Sequence, residues 1–89
     1  MAAYLVSYDL NKEGKDYADL IAAIKRLNCG KVLFSEWLVA TDSTAEQVFD
    51  YLRQFTDSND GLLVVELTGT AKWVNLMTDS ETVKKLLAA

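Results

Sequence analysis

The sequence of 89 residues contains no histidine and only one cysteine, Cys29. Without histidine, catalytic triads and general bases that use an imidazole are excluded, and so are histidine metal ligands. A zinc site built from Cys and His is excluded as well, because it needs several such ligands. Any bound metal ion would therefore need oxygen ligands, which suit Mg²⁺, Mn²⁺ and Ca²⁺.

Long apolar runs are also missing. No stretch approaches the ~20 residues that a membrane-spanning helix needs. The N-terminus lacks the basic region and long apolar stretch of a signal peptide. The single thiol cannot form an internal disulfide, which fits a reducing compartment. These absences predict a cytoplasmic protein that does not enter the membrane.

Positive charge is scarce. Nine basic residues stand against thirteen acidic ones, which gives a net charge of −4. This balance argues against an obligate nucleic-acid binder, whose phosphate contacts require Lys and Arg. Hydrophobic residues make up 51% of the chain, which is enough for one core and leaves apolar surface for a partner. The length predicts one domain, residues 1–89.

The apolar pattern predicts alternating strands and helices. The predicted elements are a strand at 3–9, a helix at 16–28, two short strands or one bent strand at 31–41, a helix at 44–55, a strand at 62–69, a short extra strand at 72–77 and a terminal helix. Loops are predicted at 11–15 and 57–61 from their Asn, Gly and Asp residues.

Polar residues at the helix ends predict the caps. Asp16 is expected to cap the first helix, and Asn28 and Gly30 to end it. Two capping boxes are expected, in which a hydroxyl residue precedes a glutamate by three positions. Their pairs are Ser43 with Glu46 and Thr78 with Glu81.

The order βαββαβ predicts an α+β domain of the ferredoxin-like class. Its antiparallel sheet should carry two helices on one face, with a core at 3–68 and an appendage at 70–89 that holds a short strand and a helix. Only this short tail is expected to cover the opposite face. Because an open apolar face is unusual, we predict a homodimer related by a two-fold axis.

Three short motifs point to a known family. They are Tyr8-Asp9-Leu10 at the end of the first strand, Ser35 before the apolar residues 37–40, and the acidic turn with Asp57 and Asp60 before the last core strand. Over roughly residues 3 to 68 the chain resembles the small CRISPR-associated adaptation proteins. It is still more similar to uncharacterised small bacterial and phage members of that superfamily, and VapD-type toxins are similar in fold.

The resemblance implies a dimeric ferredoxin-like protein related to metal-dependent nucleases and to the scaffold of spacer integration. It implies Asp9 as the catalytic and metal-binding residue, paired with its copy across the two-fold axis to hold Mg²⁺ or Mn²⁺. The interpretation we favour for Asp9 is structural: it caps a turn onto the amide of Asn11 or Lys12, and any metal role is secondary. The first helix of the adaptation proteins begins with several basic residues. In this chain the corresponding region, residues 13–19, contains Lys15 as its one basic residue.

Aromatic residues supply the binding candidates. Tyr4, Tyr8, Trp37 and Trp73 could stack on bases, although core packing is the favoured role of Trp37. Trp73 lies in a tail that the core does not need, where it could cover a sheet edge or join a dimer interface. We therefore take Trp73 and Tyr8 as candidate binding residues.

Three functions are compatible with these features. We favour a non-catalytic dimeric module that binds protein or nucleic acid, because the chemistry depends on one aspartate. The first alternative is an endonuclease of the toxin or adaptation type that uses Asp9 with Mg²⁺ or Mn²⁺ to cleave RNA or DNA. The second is an acidic inhibitor encoded by a phage.

Overall fold

The computed structural model describes residues 1–11 and 17–89, and it contains one four-stranded antiparallel sheet with three helices. The elements are β1 (Ala2–Asp9), α1 (Ala18–Lys25), β2 (Asn28–Leu33), β3 (Glu36–Thr41), α2 (Ala45–Arg53), β4 (Gly61–Leu67) and α3 (Ser80–Leu87). The strand order is β2-β3-β1-β4. The predicted α+β class and antiparallel sheet are therefore confirmed.

One face of the sheet carries both α1 and α2. Side chains alternate between the faces of a strand, so Tyr4, Val6 and Tyr8 of β1 point to the same side. They form one core with Leu20 of α1 and Leu52 of α2, both of which are fully buried. The spacing that predicted two amphipathic helices thus places them together on this face.

The opposite face is partly covered by α3. Val83 and Leu86 of this helix are buried against Val32, Leu38 and Ala40 of the sheet. The C-terminal segment therefore covers more of this face than expected, because α3 closes the half formed by β2 and β3.

On the β4 side of the same face, apolar side chains are still exposed. Leu63 keeps 54% of its surface accessible and Val65 keeps 39%. We call these two residues the β4 patch. They continue the face that α3 covers, since Val65 lies opposite Leu5 in the β1–β4 register.

The predicted end of the first helix is wrong. Helix α1 ends at Lys25, and Asn28 and Gly30 already belong to β2. Gly30 packs closely beneath α3, because a Cβ atom there would lie 3.2 Å from Leu86 Cδ1, so the leucine side chain would have to shift. The predicted cap Asp16 lies outside the described residues, as do positions 12–15 of the predicted loop.

Both N-caps lie one residue after their predicted positions, and a reciprocal capping box forms only at α2. Thr44, not Ser43, caps α2: its hydroxyl accepts from Gln47 N at 3.1 Å, and the Gln47 side chain accepts from Thr44 N at 2.9 Å. The Ser43 carbonyl instead accepts a hydrogen bond from Tyr4 Oη at 2.7 Å.

Asp79, not Thr78, caps α3. Its carboxylate accepts from Thr82 N at 3.3 Å and from the Thr82 hydroxyl at 2.6 Å. A carboxylate is a strong acceptor at a helix N-terminus, where it also meets the positive end of the helix dipole. This explains why the cap falls one residue later than the hydroxyl-based motif predicts.

Two of the remaining strand predictions have different outcomes. Residues 31–41 form two strands of a hairpin, as one of the two predicted alternatives had it. Residues 72–77 form no strand, and they meet the sheet through a hydrogen bond from Met77 N to the Val32 carbonyl at 2.9 Å.

None of the three described helices has the length and apolar character needed to cross a membrane.

Candidate functional site

Asp9 ends the central strand β1, and it is exposed. It lies opposite Gly61 in the register between β1 and β4, and its Cβ lies 3.5 Å from the position that a Gly61 Cβ would take. This carboxylate therefore lies where the central strand ends, beside the loop that leads into β4.

The predicted turn from Asp9 onto the Asn11 amide does not form. Asn11 N instead donates to Asp60 Oδ1 at 2.8 Å, and the Asn11 side chain donates to the Asn59 carbonyl at 2.6 Å. The loop before β4 competes successfully because pairing of Asp9 with Gly61 brings Asp60 next to the end of β1. Lys12, the other predicted donor, lies outside the described residues.

Asp60 is the residue around which this end of the domain is organised. Only 7% of its surface is exposed, and it is the one buried charged residue among those the structure describes. Besides Asn11 N, it accepts from Tyr17 Oη at 2.9 Å and from Asp57 N at 2.7 Å. Its carboxylate thus joins the end of β1, the start of α1 and the loop after α2.

Tyr17 and Arg53 support the same loop. Tyr17 begins α1 with a left-handed backbone, φ 51°, while its ring is buried and its hydroxyl is held by Asp60. Arg53 Nη1 donates to the carbonyls of Asp57 at 2.9 Å and Asp60 at 3.3 Å. Sequence reasoning found the turn but missed both of these supporting residues.

This end of the sheet offers little that would hold a metal ion. Across residues 1–11 and 17–89, no three Cys, Asp or Glu side chains come together as a metal-binding group. Both oxygens of Asp60 accept hydrogen bonds from amide or phenol groups, so they are engaged in structure. Within the described residues, this strand end therefore presents no set of carboxylates that would hold a metal ion in a single chain.

Tyr8 lies in the core. Its side chain is 8% exposed, and its hydroxyl accepts a hydrogen bond from Trp37 Nε1 at 3.1 Å. The predicted core role of Trp37 is confirmed, since it is 5% exposed. The Tyr8 ring is packed between the sheet and the helices, so a ligand would have to displace these neighbours to stack on it.

Trp73 is half-buried on the α3 side of the sheet. Part of its ring packs against the core beneath α3, and Nε1 donates to Ser80 Oγ at 3.1 Å. The rest of the ring borders two adjoining cavities of about 340 and 260 Å³. The larger is lined by Ala71, Lys72, Trp73, Ser80 and Lys84, and the smaller by Gly69, Ala71, Trp73, Lys84, Leu87 and Ala88.

Cys29 does not have the properties of a nucleophile. It is half-buried on β2, and burial raises the pKa of its thiol, an effect that the nearby Lys25 charge opposes. A raised pKa keeps the thiol protonated near neutral pH, whereas the thiolate is the reactive form. The side chain therefore serves packing.

No family model matches the chain, and no solved structure matches it at a significant level. The resemblance to CRISPR adaptation proteins therefore stays a prediction that rests on its short motifs.

Proposed function

We propose that this protein is a non-catalytic interaction module that acts as a homodimer and belongs to the ferredoxin-like class. The element order βαββαβ before α3 supports this class, as does the position of β1 between β3 and β4 with antiparallel neighbours on both sides. A relationship to the adaptation proteins is part of the same proposal.

The β4 patch is the observation that carries the dimer. Strand β4 is the last strand of the sheet on its side, and among residues 61–67 only Glu66 is charged. Proteins usually protect such edges with charged residues, proline or a covering element. In β4, Leu63 and Val65 are instead exposed on one face, and a second copy could cover them through a self-complementary contact.

We expect the parent protein to have twice the monomer mass at micromolar concentration in light scattering. Replacing both residues of the β4 patch, as Leu63→Lys with Val65→Lys, should yield a monomer, because two lysines on each chain would face each other across the two-fold axis. Phe34→Lys is the matched control: Phe34 is 83% exposed but lies in the β2–β3 hairpin, so the dimer should persist. A monomer mass for the parent would contradict the dimer.

The alternative function is a nuclease dependent on Mg²⁺ or Mn²⁺. The observation that supports this second candidate is the exposure of Asp9 at the end of the central strand. A two-fold axis near this strand end would pair the two Asp9 carboxylates, which could then share a metal ion that activates water. Close carboxylates would repel each other until the metal ion bound.

We expect the parent protein to cleave single-stranded RNA or DNA in the presence of Mn²⁺ no faster than the Asp9→Asn variant does. We also expect Asp9→Ala to change the free energy of unfolding by less than about 0.5 kcal/mol, as for other surface positions, because the Asn11 amide is bound by Asp60. Asp42→Asn, at a carboxylate 86% exposed, is the control. Cleavage that Asp9→Asn abolishes and Asp42→Asn preserves would establish the nuclease instead.

A further inference from the structure

The C-terminal segment differs in charge from the rest of this acidic chain. Residues 70–89 carry three of the nine basic residues and two of the thirteen acidic ones. The rest of the chain carries six basic and eleven acidic residues. An excess of one positive charge in an otherwise acidic protein makes this segment the part that repels an anion least.

Both carboxylates of this segment have partners on α3. Asp79 accepts the capping hydrogen bonds from Thr82. These bonds are the main reason why the pKa of the Asp79 carboxyl group is lowered. Glu81 pairs with Lys85 at 3.9 Å along α3. Among residues 1–11 and 17–89, the two cavities beside Trp73 are lined by Lys72 and Lys84 and by no carboxylate side chain.

The Trp73 ring is held in place before any ligand binds. Its packing against the core beneath α3 fixes one side, and the hydrogen bond to Ser80 Oγ fixes its rotation. Stacking on such a ring requires little further ordering, which favours binding. Ser80 accepts from the indole with its oxygen, so its own O–H can still donate to an anion.

We propose that the two cavities form one binding site, the Trp73 cleft, for a nucleoside phosphate unit. The cleft comprises the residues that line either cavity. The base stacks on the Trp73 ring, while Lys72 and Lys84 bind the phosphate and Ser80 donates to one of its oxygens. Aromatic stacking combined with cationic side chains is the chemistry by which proteins bind nucleotides without sequence preference.

The size of the cleft agrees with such a ligand. The cavities of about 340 and 260 Å³ share Ala71, Trp73 and Lys84, so they adjoin at the indole. Small-molecule sites typically range from about 300 to 1,000 Å³. The unit bound can be a free nucleotide or one unit of a single-stranded nucleic acid, since both present the same base and phosphate.

The Trp73 cleft does not depend on the homodimer. Its ligand contacts come from one chain, and the β4 patch contributes no residue to it. A monomer mass would contradict the proposed dimer without affecting the proposal of the Trp73 cleft. A failure of nucleotide binding would contradict the Trp73 cleft without affecting the proposed dimer.

The test is calorimetric titration of the full chain at low salt with thymidine monophosphate and with a short single-stranded oligothymidylate. Thymidine and inorganic phosphate are the control ligands, and each should bind more weakly than the monophosphate. Trp73→Ala should weaken binding roughly 5- to 150-fold, the equivalent of about 1–3 kcal/mol for one stacked base. Trp73→Phe keeps an aromatic ring and should retain most of the affinity.

The lysines are tested with the double variant Lys72→Ala with Lys84→Ala, whose exposed positions leave the core intact. It should weaken binding of both phosphate ligands and reduce the slope of log K against log salt by about 0.7 for the oligonucleotide, since the two lysines neutralise one phosphate. Lys85→Ala is the matched control on the same helix, because Lys85 lies outside the lining, and it should leave monophosphate affinity unchanged.

Tryptophan fluorescence gives an independent readout. Trp37 is buried, so quenching by the ligand should arise from Trp73 and disappear in Trp73→Phe, although the calorimetric affinity is retained. Affinity that rises with oligonucleotide length would identify a strand as the ligand, and equal affinity would identify a free nucleotide. Absence of binding by both probes, or binding that Trp73→Ala and the double lysine variant leave unchanged, would overturn the proposal.

Discussion

Replacing Asp60 with alanine is expected to lower the free energy of unfolding by about 3 kcal/mol. Hydrogen bonds to a charged group contribute about 1.5–3 kcal/mol each, and they are not additive. The substitution removes the acceptor of Asn11 N, Tyr17 Oη and Asp57 N together. It also releases Tyr17, whose left-handed backbone is held in part by the bond from its hydroxyl to Asp60.

Urea unfolding of Asp60→Ala and Asp60→Asn measures this effect. Asn keeps the shape and one carbonyl acceptor but loses the charge, so we expect its loss to be about half as large. Asp42→Ala is the matched control, since Asp42 is exposed and pairs with the terminal amino group at 3.2 Å. A similar small loss for Asp60→Ala and Asp42→Ala would show that Asp60 does not hold this end of the domain together.

Replacing Leu86 with alanine is expected to cost about 3 kcal/mol of unfolding free energy, because Leu86 is 3% exposed and truncation would leave a cavity beneath α3. The opposite change, Gly30→Val, should overpack the same place and cost about 1–3 kcal/mol. A Cβ at Gly30 already falls 3.2 Å from Leu86 Cδ1 and 3.4 Å from Thr82 Cγ2.

The double variant is the decisive measurement. In Gly30→Val with Leu86→Ala, the new valine can fill the space left by the leucine, so the combined loss should be smaller than the sum of the single losses by about 1 kcal/mol or more. Hydrogen exchange should show the protection of α3 reduced in Leu86→Ala and partly restored in the double variant. Strict additivity of the two single losses would mean that α3 does not pack on β2 at Gly30.

The elements of the fold could be predicted because their signals are local. The alternation in residues 3–9 and the three-and-four spacing in 44–55 each reflect which side chains face the core. Boundaries were less predictable wherever two neighbouring residues could play the same part. Ser43 and Thr44 both carry a hydroxyl, and Tyr4, distant in sequence, bonds to the Ser43 carbonyl while Thr44 becomes the cap.

The candidate sites depended on contacts that sequence spacing does not encode. Asn11 and Asp60 are separated by 49 positions and meet only because β1 pairs with β4. The sequence therefore showed an acidic turn but gave no sign that Asn11 would bond to Asp60 rather than Asp9. The position of Trp73 in the tail marked it as a candidate. The contribution of Lys84 to the Trp73 cleft depends on how α3 packs on the sheet, which the sequence does not show.

The strand order also governs when the chain can fold during its synthesis. Strand β1 is made first, but its two neighbours β3 and β4 come later in the chain, with β4 ending at Leu67. Until then β1 has at least one unpaired edge, although the β2–β3 hairpin can close locally. Non-local pairing of this kind slows folding and leaves a strand edge exposed to other chains. The nascent protein thus completes its sheet only after β4 has been made as far as Leu67.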